Sequence, residues 1–182
     1  MQDDKMTELQ SMNPMREIRV EKVTLNIGAG KDQNVLEKGV KLLTNLTGVS
    51  PIKTTTQKRI AAWGLRPGLP IGCKITLRKK KAEEMLTRAL DAKDNSLRQE
   101  QFDDHGNMAF GVAEYIDIKD AKYDPEIGMM GLEICVTLER PGYRIKRRRF
   151  QQRKIPNRHK ITKSEAIEFM RKRFNVKFEE HQ

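Results

Sequence analysis

The sequence predicts an α+β fold, in which a mainly antiparallel sheet has helices packed on one face and carries a long basic loop and a basic C-terminal extension. Two observations carry this prediction. Several short segments alternate apolar and polar residues, which is typical of strands with one buried face. Other segments repeat apolar residues at the spacing of amphipathic helices.

The length of 182 residues suits a single domain without internal repeats. We expect residues 14–139 to form the α+β core. An extension over 1–13 precedes this core, and a basic segment over 140–161 and a helix over 162–175 follow it.

The first two elements are marked by their own local signals. Residues 20–27 alternate apolar and polar side chains and predict a strand that ends at Gly28. Residues 33–47 carry leucine and valine at helical spacing, and Gly48 follows where a C-terminal cap is expected.

The next segment is predicted to hold two strands joined by a long loop. Residues 52–57 are rich in threonine and predict a second strand. Residues 59–72 contain three glycines and two prolines and predict the loop. Residues 73–78 alternate and predict a third strand with a basic outer face.

A helix and two strands complete the predicted core. Residues 82–92 have methionine, leucine and alanine on one helical face. Residues 108–118 and 132–138 have apolar side chains in step and predict two strands, the second of which ends at Pro141 and Gly142.

The end of the chain combines an irregular basic segment with a helix. Residues 140–160 include Pro156 and show little apolar patterning, which predicts an irregular path or one ordered only on RNA. Thr162 and Glu165 have the spacing of a capping box and predict the start of a short helix.

The charge of the chain indicates a polyanionic partner. Formal net charge is +11, and the sequence pI is about 9.7. Residues 53–81 carry nine bases and no acid, and residues 140–160 carry ten bases and no acid, whereas 82–138 carry thirteen acids and five bases. Long runs without a carboxylate favour a nucleic-acid partner, because phosphates supply the missing counter-charge.

Two predicted strands share a polar outer face. Its side chains are Lys22, Thr24, Asn26, Lys74, Thr76 and Arg78. A polar strand face is usually only hydrated, but two such strands beside an acid-free segment favour contact with RNA phosphates, 2′-hydroxyls and base edges.

Other classes of partner and site find little support. The apolar runs are far shorter than the ~20 residues that span a bilayer, and no signal peptide is evident, so we expect a soluble, cytoplasmic protein without a membrane partner. Cys73 and Cys135 stand apart from each other and from the histidines, so we expect two small buried residues and no metal or cofactor.

Two local features were weighed as sites. The segment Gly28-Ala29-Gly30-Lys31 lacks the earlier glycine and the Ser or Thr of a phosphate loop, so it predicts a tight strand-to-helix turn. Core packing is the first interpretation of Trp63, and stacking on a nucleic-acid base is the alternative.

Seven strings give the chain a specific resemblance. They are VEKVTLNIG (20–28), LTGVSPIKT (46–54), RPGLPIGCKITLR (66–78), FDDHGN (102–107), YDPEIG (123–128), RPG (140–142) and RHKITKSEA (158–166). In this order they resemble the number-five protein family of the large ribosomal subunit, in its archaeal and eukaryotic branch. Pro156 departs from the family pattern, which has a glycine after Lys-Ile.

The resemblance implies a structural protein without enzymatic activity. Members bind 5S rRNA in the central protuberance, and the sheet region is the family's contact with that RNA. Carried over to this chain, the 5S rRNA contacts are Lys22, Thr24, Asn26, Thr54, Lys74, Thr76 and Arg78.

Further partners follow from the same resemblance. The family's long loop approaches P-site tRNA, and here that loop carries Arg59, Trp63, Arg66 and Gly68. Additional contacts with large-subunit rRNA are expected from Arg144, Lys146, Arg147, Arg148, Arg149, Arg153 and Lys154. Contacts with neighbouring large-subunit proteins and a bridge to a small-subunit head protein, through the acidic middle region, complete the set.

Two other functions remain as alternatives. A general RNA chaperone would bind RNAs with little preference among them. A nucleotide-using enzyme built on Gly28–Lys31 would lose nucleotide binding when Lys31 is replaced by alanine.

Overall fold

A five-stranded antiparallel sheet lies at the centre of the structure, a computed structural model that describes residues 13–179. The strands of the chain are β1 (Arg19–Gly28), β2 (Ile52–Thr55), β3 (Pro70–Leu77), β4 (Ser96–Arg98), β5 (Met108–Val112), β6 (Leu132–Glu139) and β7 (Lys177–Glu179). The helices are α1 (Gln33–Thr47), α2 (Lys80–Asp91) and α3 (Lys163–Phe174). The main sheet has the order β2-β3-β1-β6-β5, and β4 pairs in parallel with β7. The predicted α+β class is confirmed, whereas the extension predicted over 1–13 lies, except for Asn13, outside the described residues.

One face of the main sheet forms the core together with α1 and α2. Val23, Leu25 and Ile27 of β1 are buried there, as their alternation predicts. Leu36 of α1 and Leu86 of α2 are fully buried in the same cluster. The other face of the sheet is therefore left for solvent or a partner.

Local capping signals set the helix boundaries. The Asp32 side chain accepts a hydrogen bond from the Asn34 amide at 2.9 Å and starts α1, and Gly48 ends this helix with φ +66°. Thr162 and Glu165 form the predicted capping box at the start of α3. These boundaries agree with the predictions because caps depend on residues next to the helix.

Strand boundaries differ more from the predictions. Strand β3 begins at Pro70 rather than at residue 73, because Pro70 and Gly72 pair with Thr55 and Thr54 of β2. The strand predicted over 108–118 ends at Val112, and a 3₁₀ turn follows at Tyr115–Asp117. Strands β4 and β7 were not predicted, since three residues are too few to show a period.

The basic segment after β6 follows an irregular path, as predicted, but apolar side chains anchor it to the protein. Tyr143, Ile155 and Ile161 are buried against the core. Pro156 has φ −57° and ψ 144°, a conformation that suits proline. The family's glycine is therefore not needed for the path seen here.

Two expectations about single residues are wrong. Cys73 is buried as expected, but Cys135 is exposed, because it lies on the outer face of β6. Trp63 is 67% exposed and contributes little to the core, because it lies in a 3₁₀ turn at the tip of the β2–β3 loop. No helix within residues 13–179 is long and apolar enough to cross a membrane.

Candidate nucleic-acid interface

The antiparallel register of β1 and β3 brings the predicted contact residues together on the outer face of the sheet. Thr24 lies opposite Thr76, and Asn26 lies opposite Lys74. Lys22 and Arg78 continue the two rows at one end. Four strand positions that are some fifty residues apart in sequence thus form one continuous polar surface.

The edge strand β2 extends this surface. Thr54 pairs with Gly72, where a Cβ atom would lie 2.7 Å from the Ile27 carbonyl oxygen and 3.0 Å from Thr54 Oγ1. Glycine is therefore required for the close approach. Ile52 pairs with Lys74 and is 69% exposed, so an apolar side chain that the sequence analysis did not single out also lies on this face.

Strand β6 adds an acidic group to the other side of β1. Glu133 lies opposite Asn26, and its Oε2 accepts a hydrogen bond from Asn26 Nδ2 at 3.1 Å. This bond orients the amide of Asn26 and leaves its carbonyl oxygen for a partner. Since Lys74 is on the opposite side of β1, the surface is basic toward β3 and acidic toward β6.

A network of charges closes one end of the surface. A bulge between Val20 and Lys22 interrupts the pairing of β1 with β6, and the nearly buried Glu21 lies in this bulge. Arg147 donates to Glu21 and, at 2.7 Å, to Glu139. Arg78 Nη1 also lies 3.3 Å from Glu21 Oε1. The carboxylates thereby fix the orientation of two arginines predicted to contact RNA, and both arginines stay about half exposed.

The β2–β3 loop extends the hairpin beyond the sheet. The backbone groups of Ile60 and Leu65 exchange two hydrogen bonds of 3.0 Å, and Gly68 has φ +84°. Trp63 therefore lies at a tight tip, where Arg59 and Arg66 are exposed as well. An exposed indole between two guanidinium groups is suited to stacking on a base.

The basic segment presents most of its cationic side chains to solvent. The exposed ones are Arg144, Lys146, Arg147, Arg149, Arg153 and Lys154. Arg148 is half-buried and donates from Nε to the Gln151 carbonyl oxygen at 2.9 Å. Arg149 lies 5.6 Å from the ring centroid of Phe150, which is 77% exposed. The segment thus combines cations with an exposed aromatic ring.

The turn after β1 has the conformation of a connection and not of a phosphate loop. The amides of Ala29 and Gly30 both donate to the Ile71 carbonyl oxygen, at 2.9 and 3.0 Å. These amides are the groups that a phosphate loop would direct at its ligand. The predicted tight turn is confirmed.

The acidic middle region holds an ion-pair cluster next to α1. Lys41 Nζ lies 2.9 Å from Asp124 Oδ2 and also bonds to Glu126. The hydrogen bond from Lys41 holds the pKa of Asp124 below its ordinary value, and the hydrogen bonds to Glu126 and Asp124 raise the pKa of Lys41. No group of three or more potential metal ligands was found among residues 13–179.

Comparisons with known proteins agree on one family. The model described as ribosomal protein L5 matches residues 13–66, and the model that describes the C-terminus of the same ribosomal family matches residues 70–169. The large ribosomal subunit protein uL5 of Sulfurisphaera tokodaii is 48% identical over 94% of this chain and 97% of its own length. The protein of the same name from Nanoarchaeum equitans is 48% identical over 90% and 97%, and that from Methanobrevibacter smithii is 40% identical over 92% and 98%.

Proposed function

This chain belongs to the ribosomal protein L5 family, and from that premise we propose that it binds 5S rRNA and helps to attach it in the central protuberance of the large ribosomal subunit. As a member of this family it is a structural constituent of the large ribosomal subunit and not an enzyme, with ribosomal RNA as its partner. It acts in the cytoplasm as part of the ribosome.

The observation that carries the proposal is the cross-strand register of β1 and β3. Thr24 faces Thr76 and Asn26 faces Lys74 on an open sheet face, so hydroxyl, amide and ammonium groups alternate across two adjacent strands. Lys74 neutralises RNA phosphate, and the threonines and Asn26 fix the register through hydrogen bonds to sugar and base edges. Because the opposite face is a packed core, the surface is rigid before RNA arrives.

Other parts of the chain extend the same function. The β2–β3 loop approaches P-site tRNA through Arg59, Trp63, Arg66 and Gly68. The basic segment over 140–161 contacts additional large-subunit rRNA. The acidic middle region bridges to a small-subunit head protein. The exposed position of Trp63 supports the first of these roles, since a buried indole would be unable to stack on a nucleotide.

The test is a binding comparison between 5S rRNA, equal amounts of tRNA and an unrelated RNA hairpin over a range of salt concentrations. We expect a preference for 5S rRNA that survives moderate salt and weakens in Asn26→Ala and Thr76→Ala. Thr87→Ala on α2 is the matched control, because Thr87 is exposed and its hydroxyl bonds only within its own helix. Lys74→Ala is expected to reduce the slope of log affinity against log salt by about 1.

Equal binding to the three RNAs, with a common loss as salt rises, would contradict the proposal. That outcome would leave only the electrostatic attraction and favour a general RNA chaperone.

A further inference from the structure

A cavity of ≈ 660 Å³ lies between the basic segment, the end of β6 and the turn that precedes β5. It is separate from the outer sheet face. Its volume is in the range of sites for small ligands. None of the roles described above uses it.

The walls of the cavity combine an apolar floor with hydrogen-bonding groups. Leu138, Ile155 and Ile161 are buried and form the floor. The side chains of Asn107 and Asn157 also line the cavity. Apolar surface with a few convergent amides suits a flat heterocycle that has polar edges.

Three cations surround this floor. Lys146, Lys154 and Lys160 line the cavity and are exposed. Lys146 Nζ lies 4.9 Å from the ring centroid of Tyr143. Among residues 13–179, no carboxylate forms an ion pair with any of the three lysines. The cavity therefore offers positive charge that the protein itself does not neutralise.

The cavity is built into the fold rather than left between loose segments. The Asp103 carboxylate accepts hydrogen bonds from the amides of His105 and Asn107 at 2.9 and 2.7 Å and so fixes the turn. In that turn Gly106 packs so closely on Ile161 that a Cβ atom would lie 2.6 Å from Cγ2. On the opposite wall the Tyr143 hydroxyl accepts from the Ile161 amide at 3.0 Å.

We propose that this cavity receives one unpaired nucleotide of ribosomal RNA, with its base on the floor of Leu138, Ile155 and Ile161 and its phosphate among the three lysines. A nucleotide is the ligand that presents a planar heterocycle and an anion together. The choice of ribosomal RNA rests on the proposed function, because the cavity opens within the acid-free segment that we assign to rRNA. Unpaired bases are the usual targets of RNA recognition by protein pockets.

The experiment uses the full chain with isotope-labelled isoleucine methyl groups, observed by NMR. The probes are single-stranded RNA tetranucleotides, nucleoside monophosphates, inorganic phosphate and a tetraglutamate peptide. We expect the signals of Ile155 and Ile161 to shift with the tetranucleotides and, at higher concentration, with the monophosphates. Phosphate and tetraglutamate should leave both signals in place.

Two variants and two controls connect the shifts to the cavity. Asn157→Trp fills the cavity without a change of charge, and Lys154→Glu reverses one charge at its rim, so both should abolish the shifts. Asn45→Trp and Lys119→Glu make the same changes outside the cavity and should preserve them. Shifts that persist in Asn157→Trp and Lys154→Glu would overturn the proposal.

The remaining outcomes are also decisive. Equal shifts with phosphate or tetraglutamate would mean a simple anion site and contradict base recognition. Binding of monophosphates as tight as that of tetranucleotides would contradict RNA as the source of the nucleotide. If wild-type protein prefers 5S rRNA but its cavity signals do not move, only this inference fails. If the cavity takes up RNA but no 5S preference exists, only the proposed function fails.

Discussion

The guanidinium group of Arg140 donates from Nη2 to Glu165 Oε1 at 2.7 Å and so joins the end of β6 to the start of α3. Arg140 is 3% exposed, and its other nitrogens donate to the carbonyl oxygens of Arg16 and Lys160, both at 3.0 Å. One side chain therefore holds the N-terminal segment, the basic segment and the C-terminal helix in place.

Arg140→Ala is expected to destabilise the protein by about 3–5 kcal/mol, because it leaves Glu165 and two carbonyl groups without their buried partner. Urea unfolding followed by circular dichroism measures this loss. The control is Arg158→Ala, an exposed arginine of the same segment, for which we expect a change within about 0.5 kcal/mol. Equal effects of the two variants would show that the buried contacts of Arg140 are unimportant for stability.

The same pair makes stability depend on pH. Burial alone raises the pKa of Glu165, but hydrogen bonds from the Thr162 amide and from Arg140 outweigh it and hold the pKa below its ordinary value of 4.5. Because the folded pKa lies below the unfolded one, this stabilisation is complete above the unfolded pKa and is lost as pH falls through the folded pKa.

Glu165→Gln is therefore expected to lower the free energy of unfolding near pH 7 and to have less effect as pH falls below 4.5. Glutamine retains the capping box, so the difference isolates the charge. Unfolding of both proteins across pH measures it. Glu168→Gln on the same helix is the control, and a pH-independent difference between wild type and Glu165→Gln would contradict the role of the charge.

Glu21 stabilises the fold at the edge of the proposed RNA-binding surface. Glu21→Gln should cost about 1–3 kcal/mol of stability, because Arg78 and Arg147 lose a nearly buried carboxylate. Affinity for RNA at low salt should stay equal or rise, since the net positive charge increases by one. Thermal unfolding and RNA titration give the two readouts. The exposed Glu17 provides the control Glu17→Gln, and unchanged stability of Glu21→Gln would be evidence against the network.

Trp63→Ala should separate stability from binding. We expect a change in stability within about 0.5 kcal/mol, because Trp63 is 67% exposed. Loss of base stacking should weaken tRNA binding by about 1–3 kcal/mol. Tyr123→Ala, an exposed aromatic outside the loop, should leave tRNA binding unchanged. A loss of about 3–5 kcal/mol in stability would instead indicate a core residue.

Elements whose signals are local could be predicted from the sequence. Helix α1 has the predicted bounds because Asp32 and Gly48 cap it, and α3 begins at its capping box. The buried face of β1 follows from alternation alone, since a strand with a period of two can bury only one set of side chains. The polar residues of the opposite face were identified by the same argument.

Relationships between distant segments were decided only by the tertiary structure. Strand order and register place Thr24 opposite Thr76, and the bulge at Glu21 adds a carboxylate that no pattern indicated. The pairing of β4 with β7, the exposure of Cys135 and the cavity on the floor of Ile155 and Ile161 were also missed. The sequence by itself determined which side chains face inward and where the charge is concentrated. The tertiary structure decided which of these residues meet, because strand pairing depends on contacts between segments far apart in the chain, and local periodicity contains no information about them.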